Sequence, residues 1–351
     1  MQDSKQLFRN IAKHLNNKIV GLSVSETDKW CSFYQKGGKR FAYCSLAKKT
    51  SKISFWCFGN VDEIKSKYNG KINFLPRQIS TSFSKDFQIS FMINNETEIE
   101  SAVNLLVEVS NSWTKEELIS AYNLYCKIPI NEISSNNIQI IGFAELLDKT
   151  PKEVAKRFKN FSKLDASIST FENIDNEDIN AWNLFKSDWG KSVFESEKNI
   201  VYLENKLNKI TTIPKGKERE TIVKTRVNQN FFRTAVLTSY QNKCCITRLP
   251  FIEMLNASHI IPYRDSDENN KLNPRNGLCL NALHDRAFDS GFITITTDYK
   301  VKISNTLNDF LDNKSVKEYF LSFNEKKIHL PNRFLPEKEF LEYHNQKIFK
   351  Q

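Results

Sequence analysis

The stretch NASHIIPYRDSDENNKLNPRNGLCLNALHDRAFDSG, residues 256–291, constrains this chain more than any other. The apolar run around His259 reads as a strand that stops at Pro262, because proline cannot donate to a ladder. A long polar loop follows. Asn276-Gly277 then turns the chain into a second strand-like run, LCL, and ALHDRAFDSG reads as a short helix closed by Gly291. FITIT and KVKIS beyond it read as a hairpin. The predicted order is therefore strand, loop, strand, helix, with Leu237, Tyr240, Leu283 and Phe288 in its core.

At 351 residues the chain has room for two or three domains. Its net charge of +10 favours an anionic partner, either nucleic acid or an anionic membrane surface. No apolar run approaches the roughly 18 residues that a membrane span requires, and MQDSKQLFRNIAKHLNN lacks the apolar stretch of a secretion signal. The seven cysteines are scattered and form no CxxC pair. That pattern suits reduced thiols in a cytoplasmic protein better than a disulfide framework or a zinc knuckle.

The expected fold class is α+β, in three regions. Residues 1–110 form an α+β domain: a helix in KQLFRNIAKHL, then aromatic strands in WCSFYQ, RFAYCSL, KISFWCFG and FQISFMI, separated by turns such as Gly37-Gly38. Aromatics within strands and basic residues beside them would suit a nucleic-acid face, although aromatics in strands are more often core. Residues 111–210 read as helical. Thr114 and Glu117 have capping-box spacing, and Pro151 starts a helix after a break at Lys149-Thr150. That helix carries Lys152, Lys156, Arg157 and Lys159 beside an apolar face, the pattern of a helix-turn-helix recognition helix. The opening Trp113-Thr114 resembles Myb/SANT-like domains. After acidic residues from Glu172 to Asp178, a long amphipathic stretch carries Trp182, Phe185 and Trp189 on one side, with Gly190 as its interruption. Its apolar side offers a homodimer surface or an internal packing face. PKGKERE, 214–220, reads as a linker before a last domain over 211–351.

Phosphodiester hydrolysis needs a base to activate water, a cation to stabilise developing charge, and a scaffold that holds both in line. The stretch ASHIIPY…LNPRNGLCLNALHDRAFDSGFITI resembles the HNH endonucleases associated with bacterial restriction. The likeness covers roughly residues 224–340 and extends, less specifically, to WTKEELISAYNLYCKIP and LDKTPKEVAKRFKNF upstream. It implies a ββα-metal nuclease domain in which His259 is the general base and Asn276 fixes the loop that aims it. It also implies a divalent ion, Mg²⁺ or Mn²⁺, held from the helix. In this family the helix ligand usually lies nine residues after the asparagine, with a second one turn on. Here those positions are Asp285 and Asp289, which share a helix face. His284 points about 100° away from Asp285 and is assigned a substrate-facing or supporting catalytic role. The family often places Asp or His before the base, where this chain has Ser258. A phosphate oxygen, water or Asn276 is expected to fill that side of the ion.

Arg275 and Arg286 flank the core as phosphate clamps, Gln229 and Arg233 as backbone contacts, and Tyr263 and Arg264 line the substrate path. The expected activity is metal-dependent cleavage of double-stranded DNA in restriction or anti-phage defence. Two alternatives stay open: a DNA-binding protein with a degenerate core, and a nuclease gated by a small-molecule or modified-base sensor.

Overall fold

The computed structural model describes residues 4–19, 22–27, 29–35, 40–46, 52–59, 61–76, 87–166, 174–207 and 230–351. The Gly37-Gly38 turn, Glu172, the 214–220 linker and Gln229 lie outside the described residues. The chain divides into two compact units at Thr114.

The first unit is a six-stranded antiparallel sheet in the order β1-β2-β3-β4-β6-β5. Its strands are β1 (Ser23–Glu26), β2 (Trp30–Tyr34), β3 (Arg40–Leu46), β4 (Ile53–Cys57), β5 (Asn73–Phe74) and β6 (Ile89–Ile93). Its helices are α1 (Ser4–Lys18), α2 (Val61–Tyr68) and α3 (Ile99–Asn111). Alternation along β4 and β6 sends Ile53, Phe55, Cys57, Ile89, Phe91 and Ile93 to one face. There they form a core with Ile11 and Leu15 of α1, Ile64 of α2 and Leu105 and Leu106 of α3.

The second unit is built around α4 (Lys115–Lys127), whose Tyr122 and Tyr125 are fully buried. Helices α5 (Ile138–Leu147) and α6 (Pro151–Asp165) follow. Asp148 ends α5 in the left-handed region, with φ 54°, and Thr150 and Glu153 form a capping box that opens α6. Here the structure corrects an expectation. The Arg157 guanidinium is only 12% exposed and lies 2.9 Å from Asp178, 2.9 Å from Glu177 and 3.3 Å from Asp175. It anchors α6 to α7 (Asn176–Ser187) and cannot also grip a DNA phosphate. Lys156 pairs with Asp175 at 3.2 Å, while Lys152 remains exposed.

The amphipathic stretch is two helices, α7 and α8 (Trp189–Leu207). The break falls at Asp188 rather than Gly190, with Asp188 Oδ1 accepting from the Lys191 amide at 2.9 Å. Phe185 and Trp189 pack on Tyr122 and Phe231, and Trp189 also meets Phe334. Phe185 and Trp189 are thus packed inside the chain, while Val201 and Tyr202 further along α8 are exposed. Residues 115–207 and 230–351 belong to one compact unit. Arg333, 2% exposed, donates to the carbonyls of Tyr125, Cys126 and Ile128 at 2.7–2.9 Å, and Thr238 Oγ1 donates to Cys126 O.

The rest of this unit comprises helix α9 (230–239), β7 (Leu255–His259) paired antiparallel with β8 (Gly277–Asn281), α10 (Ala282–Asp289) and the hairpin β9 (Ile293–Ile295) and β10 (Val301–Ile303). α11 (Lys314–Tyr319) and α12 (Lys338–Lys347) follow. A Cβ at Gly277 would come within 2.4 Å of Val236 Cγ2, so glycine there lets α9 lie on β8. Gly291 ends α10 at φ 74°, and a Cβ there would lie 2.2 Å from Ile348 O. Leu237, Tyr240 and Phe288 are buried as expected, but Leu283 is 47% exposed. All seven cysteines are buried and unbridged. Among the described residues no helix is long and apolar enough to cross a membrane.

α12 is fastened under α10 by a buried histidine. His344 stacks on Phe288 at 3.7 Å, donates from Nε2 to Phe288 O at 3.2 Å and meets the Thr294 hydroxyl through Nδ1 at 2.8 Å. Burial lowers its pKa to about 4 against the pull of the Phe288 carbonyl. Because the unfolded imidazole binds protons near pH 6.5, this contribution is complete above that pH. It is lost progressively toward pH 4, by about 3 kcal/mol. Urea midpoints should fall over that window in the native chain and fall less in His344→Gln. Identical pH slopes in the two would refute the assignment.

Candidate active site

β7 carries His259 to its end, where the chain leaves the sheet. The imidazole is half-buried, stacked on Phe232 of α9 at 3.9 Å and 7°, with Tyr263 edge-on at 5.7 Å. Its Nε2 lies 3.0 Å from Lys271 O. A carbonyl can only accept, so Nε2 bears the proton and the Nδ1 lone pair is the one that can take another. Burial lowers the pKa of this ring, with the Lys271 carbonyl acting in the opposite direction. Burial therefore favours the neutral imidazole, with Nδ1 able to accept a proton.

Asn276 is fully buried at the end of the short 3-10 turn that leads into β8. Its Oδ1 accepts from Ile261 N at 2.8 Å, and its Nδ2 reaches Ile261 O, Ser266 Oγ and Asn270 O at 3.1–3.3 Å. The Ile260 amide also donates to Asn276 O at 2.9 Å. One side chain thus braces both ends of the loop after His259, including the residue before Lys271. With every amide position engaged, Asn276 is not available to fill the side of an ion that Ser258 leaves open, which corrects that expectation.

α10 brings Asp285 and Asp289 to the same cleft as His259. Asn256 of β7 donates to Asp285 Oδ2 at 2.7 Å, which orients that carboxylate. The Asp289 carboxyl is raised by burial first and by Asp285 second, with Arg286 opposing. Ser258 Oγ, 3% exposed, lines the cleft and has no hydrogen-bond partner among the described residues. Among the described residues no group of three or more His, Cys, Asp or Glu is set to hold a metal. Mg²⁺ does not need one: it keeps several waters and is commonly bound through one or two carboxylates plus phosphate oxygens. Two repelling carboxylates and an orphaned hydroxyl beside a neutral base fit such an ion.

His284 does not join them. It is 2% exposed, its Nε2 donates to Tyr319 O at 2.8 Å, and its Nδ1 faces Asn281 Oδ1 at 3.1 Å. Phe320 and Phe323 enclose the ring edge-on. The expectation of a catalytic or substrate-facing His284 is corrected: it ties α10 to α11. Arg275 is corrected too. Only 18% exposed, it lies against Glu337 and does not line the cleft. Arg286 is exposed on α10 outside the cleft lining. Arg233 and Arg264 do line it, the first half-buried with Nη2 donating to Ile252 O at 3.3 Å and the second 82% exposed.

A family model described as HNH endonuclease matches residues 244–296, which span β7, the braced loop, β8, α10 and β9. Residues 244–296 are an HNH endonuclease domain. No curated protein matches the chain. The cleft of the HNH domain, about 1140 Å³, also takes Lys191, Phe194 and Lys198 from α8, well outside the matched residues. These and Phe232 were not foreseen, because nothing local in α8 or α9 announces that tertiary folding carries them to the base. Asn256 was legible in principle: alternation along β7 puts it on the same strand face as Ser258.

Proposed function

We propose that this protein is a metal-dependent endonuclease of double-stranded DNA that acts in restriction or anti-phage defence. The observation that carries the chemistry is the fixed tautomer of His259, with Nε2–H on Lys271 O and Nδ1 left for water. His259 Nδ1 takes a proton from water as the water oxygen attacks phosphorus and the bond to the 3′ oxygen breaks. Asp285, oriented by Asn256, and Asp289 would hold the divalent ion, Mg²⁺ or Mn²⁺. When bound, such an ion supplies charge stabilisation at the phosphate and the departing oxygen. Arg233, Arg264, Lys191 and Lys198 line the same cleft and offer cations to the DNA backbone. The likeness of residues 224–340 to restriction-associated HNH enzymes supports the defence role. One such site cuts one strand, so linearisation requires two, through a dimer surface other than the buried side of α7 and α8.

The test is cleavage of supercoiled plasmid, grown with and without host methylation, in Mg²⁺, Mn²⁺ or EDTA. Nicking that needs metal and falls at least about 100-fold in Asp285→Asn is the expected result. Cleavage undiminished in EDTA would overturn the metal assignment. DNA binding without cleavage in either metal would favour instead a binding protein with an inactive core, the reading that Ser258 in place of an acidic residue supports.

A further inference from the structure

The sheet of the N-terminal unit has a second face, away from the core that α1, α2 and α3 share. Cross-strand register defines two of its rows. One runs Ser25, Ser32, Tyr43, Trp56, Ser90, and the next runs Trp30, Ser45, Ser54, Met92, Asn73. Every one of these residues is partly or fully exposed, whereas the core-facing positions of β4 and β6 are buried. Tyr43 and Trp56 lie parallel, 5.2 Å apart at 9°. Trp30 leans against both at 5.8 and 5.6 Å and is 46% exposed. Phe87 closes the Tyr43 end edge-on at 5.0 Å, and the Arg40 guanidinium lies over the rings of Tyr43 and Phe87.

The composition of this surface selects its occupant. An apolar protein segment would cover the rings but strand the serine hydroxyls without partners, at a cost of about 1–3 kcal/mol for each one buried unpaired. A nucleobase has a π-face for an indole and donors and acceptors on its edge for hydroxyls. Neither row contains a carboxylate, so the phosphates between bases meet no repulsion from the face itself. The chain's net charge of +10 acts in the same direction. Duplex DNA hides its base faces in the stack and offers the rings of this surface nothing to stack on, so the ligand must carry unpaired bases.

We propose that this face binds single-stranded DNA, with Trp30 as the outer stacking platform and the serines contacting base edges. This is a binding site separate from the HNH cleft, and it stands whether or not that cleft cleaves DNA.

The experiment uses the full chain carrying His259→Ala, in EDTA and fixed low salt, with anisotropy of a labelled 12-nucleotide oligothymidylate as the readout. Trp30→Ala should weaken binding about tenfold, within the range for loss of one base–aromatic stack, and Trp30→Phe should retain most of the affinity. Ser54→Glu, which puts a carboxylate into the second row without removing a ring, should weaken it comparably. The affinity of an equal-length duplex should not respond to Trp30→Ala. The proposal is overturned by an oligothymidylate that does not bind, by Trp30→Ala and Ser54→Glu both binding as the parent does, or by an equal loss for duplex. Tighter binding of oligouridylate than oligothymidylate, with the same Trp30 dependence, would overturn DNA as the ligand in favour of RNA. Melting curves of each variant separate loss of the site from loss of the fold.

Discussion

His259→Ala should lower single-turnover nicking by about 10²–10⁴-fold, the usual contribution of a positioned general base, while leaving DNA affinity in EDTA close to that of the native chain. The separation follows from placement. The imidazole stacks on Phe232 and is held through Nε2, so its removal takes away a proton acceptor without disturbing the exposed cations that line the cleft. The pH dependence carries a sign. As the proposed base, His259 would act in its neutral form, and burial lowers its pKa. The acid limb of the rate should therefore lie below the ordinary histidine value of about 6.5, with a level rate above it. That acid limb should be missing from whatever residual rate the alanine variant shows. A variant that cuts at the native rate, or keeps the same acid limb, would remove His259 from the role of base.

Asn276→Ala should damage both the fold of the loop and the reaction. The side chain is fully buried and touches the loop at Ile261, Ser266 and Asn270. Its loss strands a backbone amide and carbonyls where water does not replace the amide, at a cost of about 3 kcal/mol or more summed over those groups. The catalytic consequence runs through Asn270, because the next carbonyl, that of Lys271, fixes the His259 tautomer. Asn276→Asp tests the donor specifically. It keeps the shape and the acceptor to Ile261 N, but turns the donor edge into an oxygen facing the carbonyls of Ile261 and Asn270. Both variants should show a lower urea midpoint and a lower single-turnover rate, with the Asp variant no better than Ala. Either variant, folded with native stability and native rate, would show that the loop does not need this side chain.

Much of the scaffold around the site was legible before any coordinates. The strand, loop, strand and helix occur in the order read from the sequence, and Gly291 closes the helix through its left-handed φ of 74°, a local requirement. β7, by contrast, ends at His259, ahead of Pro262, and Gly277 is extended and needed for the approach of Val236 from α9. The i, i+4 spacing of Asp285 and Asp289 puts both on one face of α10 by helix geometry alone, and both line the cleft. The same geometry says that His284 points elsewhere. It cannot say that elsewhere is a closed pocket formed by Tyr319, Phe320 and Phe323, more than thirty residues further on.

Charge was the least readable property. Arg157, Arg264 and Arg275 look alike in a list of residues beside helices and loops. In the fold, Arg157 is neutralised by three carboxylates from α7 and its cap, Arg275 lies beside Glu337, and Arg264 stays in the cleft. A guanidinium becomes a structural tie or a substrate contact according to which acidic side chain arrives next to it, and the partners are set by packing at long range. The amphipathic stretch shows the same limit. Its period correctly marked Phe185 and Trp189 as one apolar side, but a period does not name a partner. Tertiary structure turned that side onto α4 and α9, and thereby laid Lys191 and Lys198 along the cleft of the HNH domain. Local stereochemistry, acting over a few bonds, sufficed for the order of elements and for the helix face that Asp285 and Asp289 share. Which faces meet depended on apolar burial summed over the whole unit, and only the folded chain decides that.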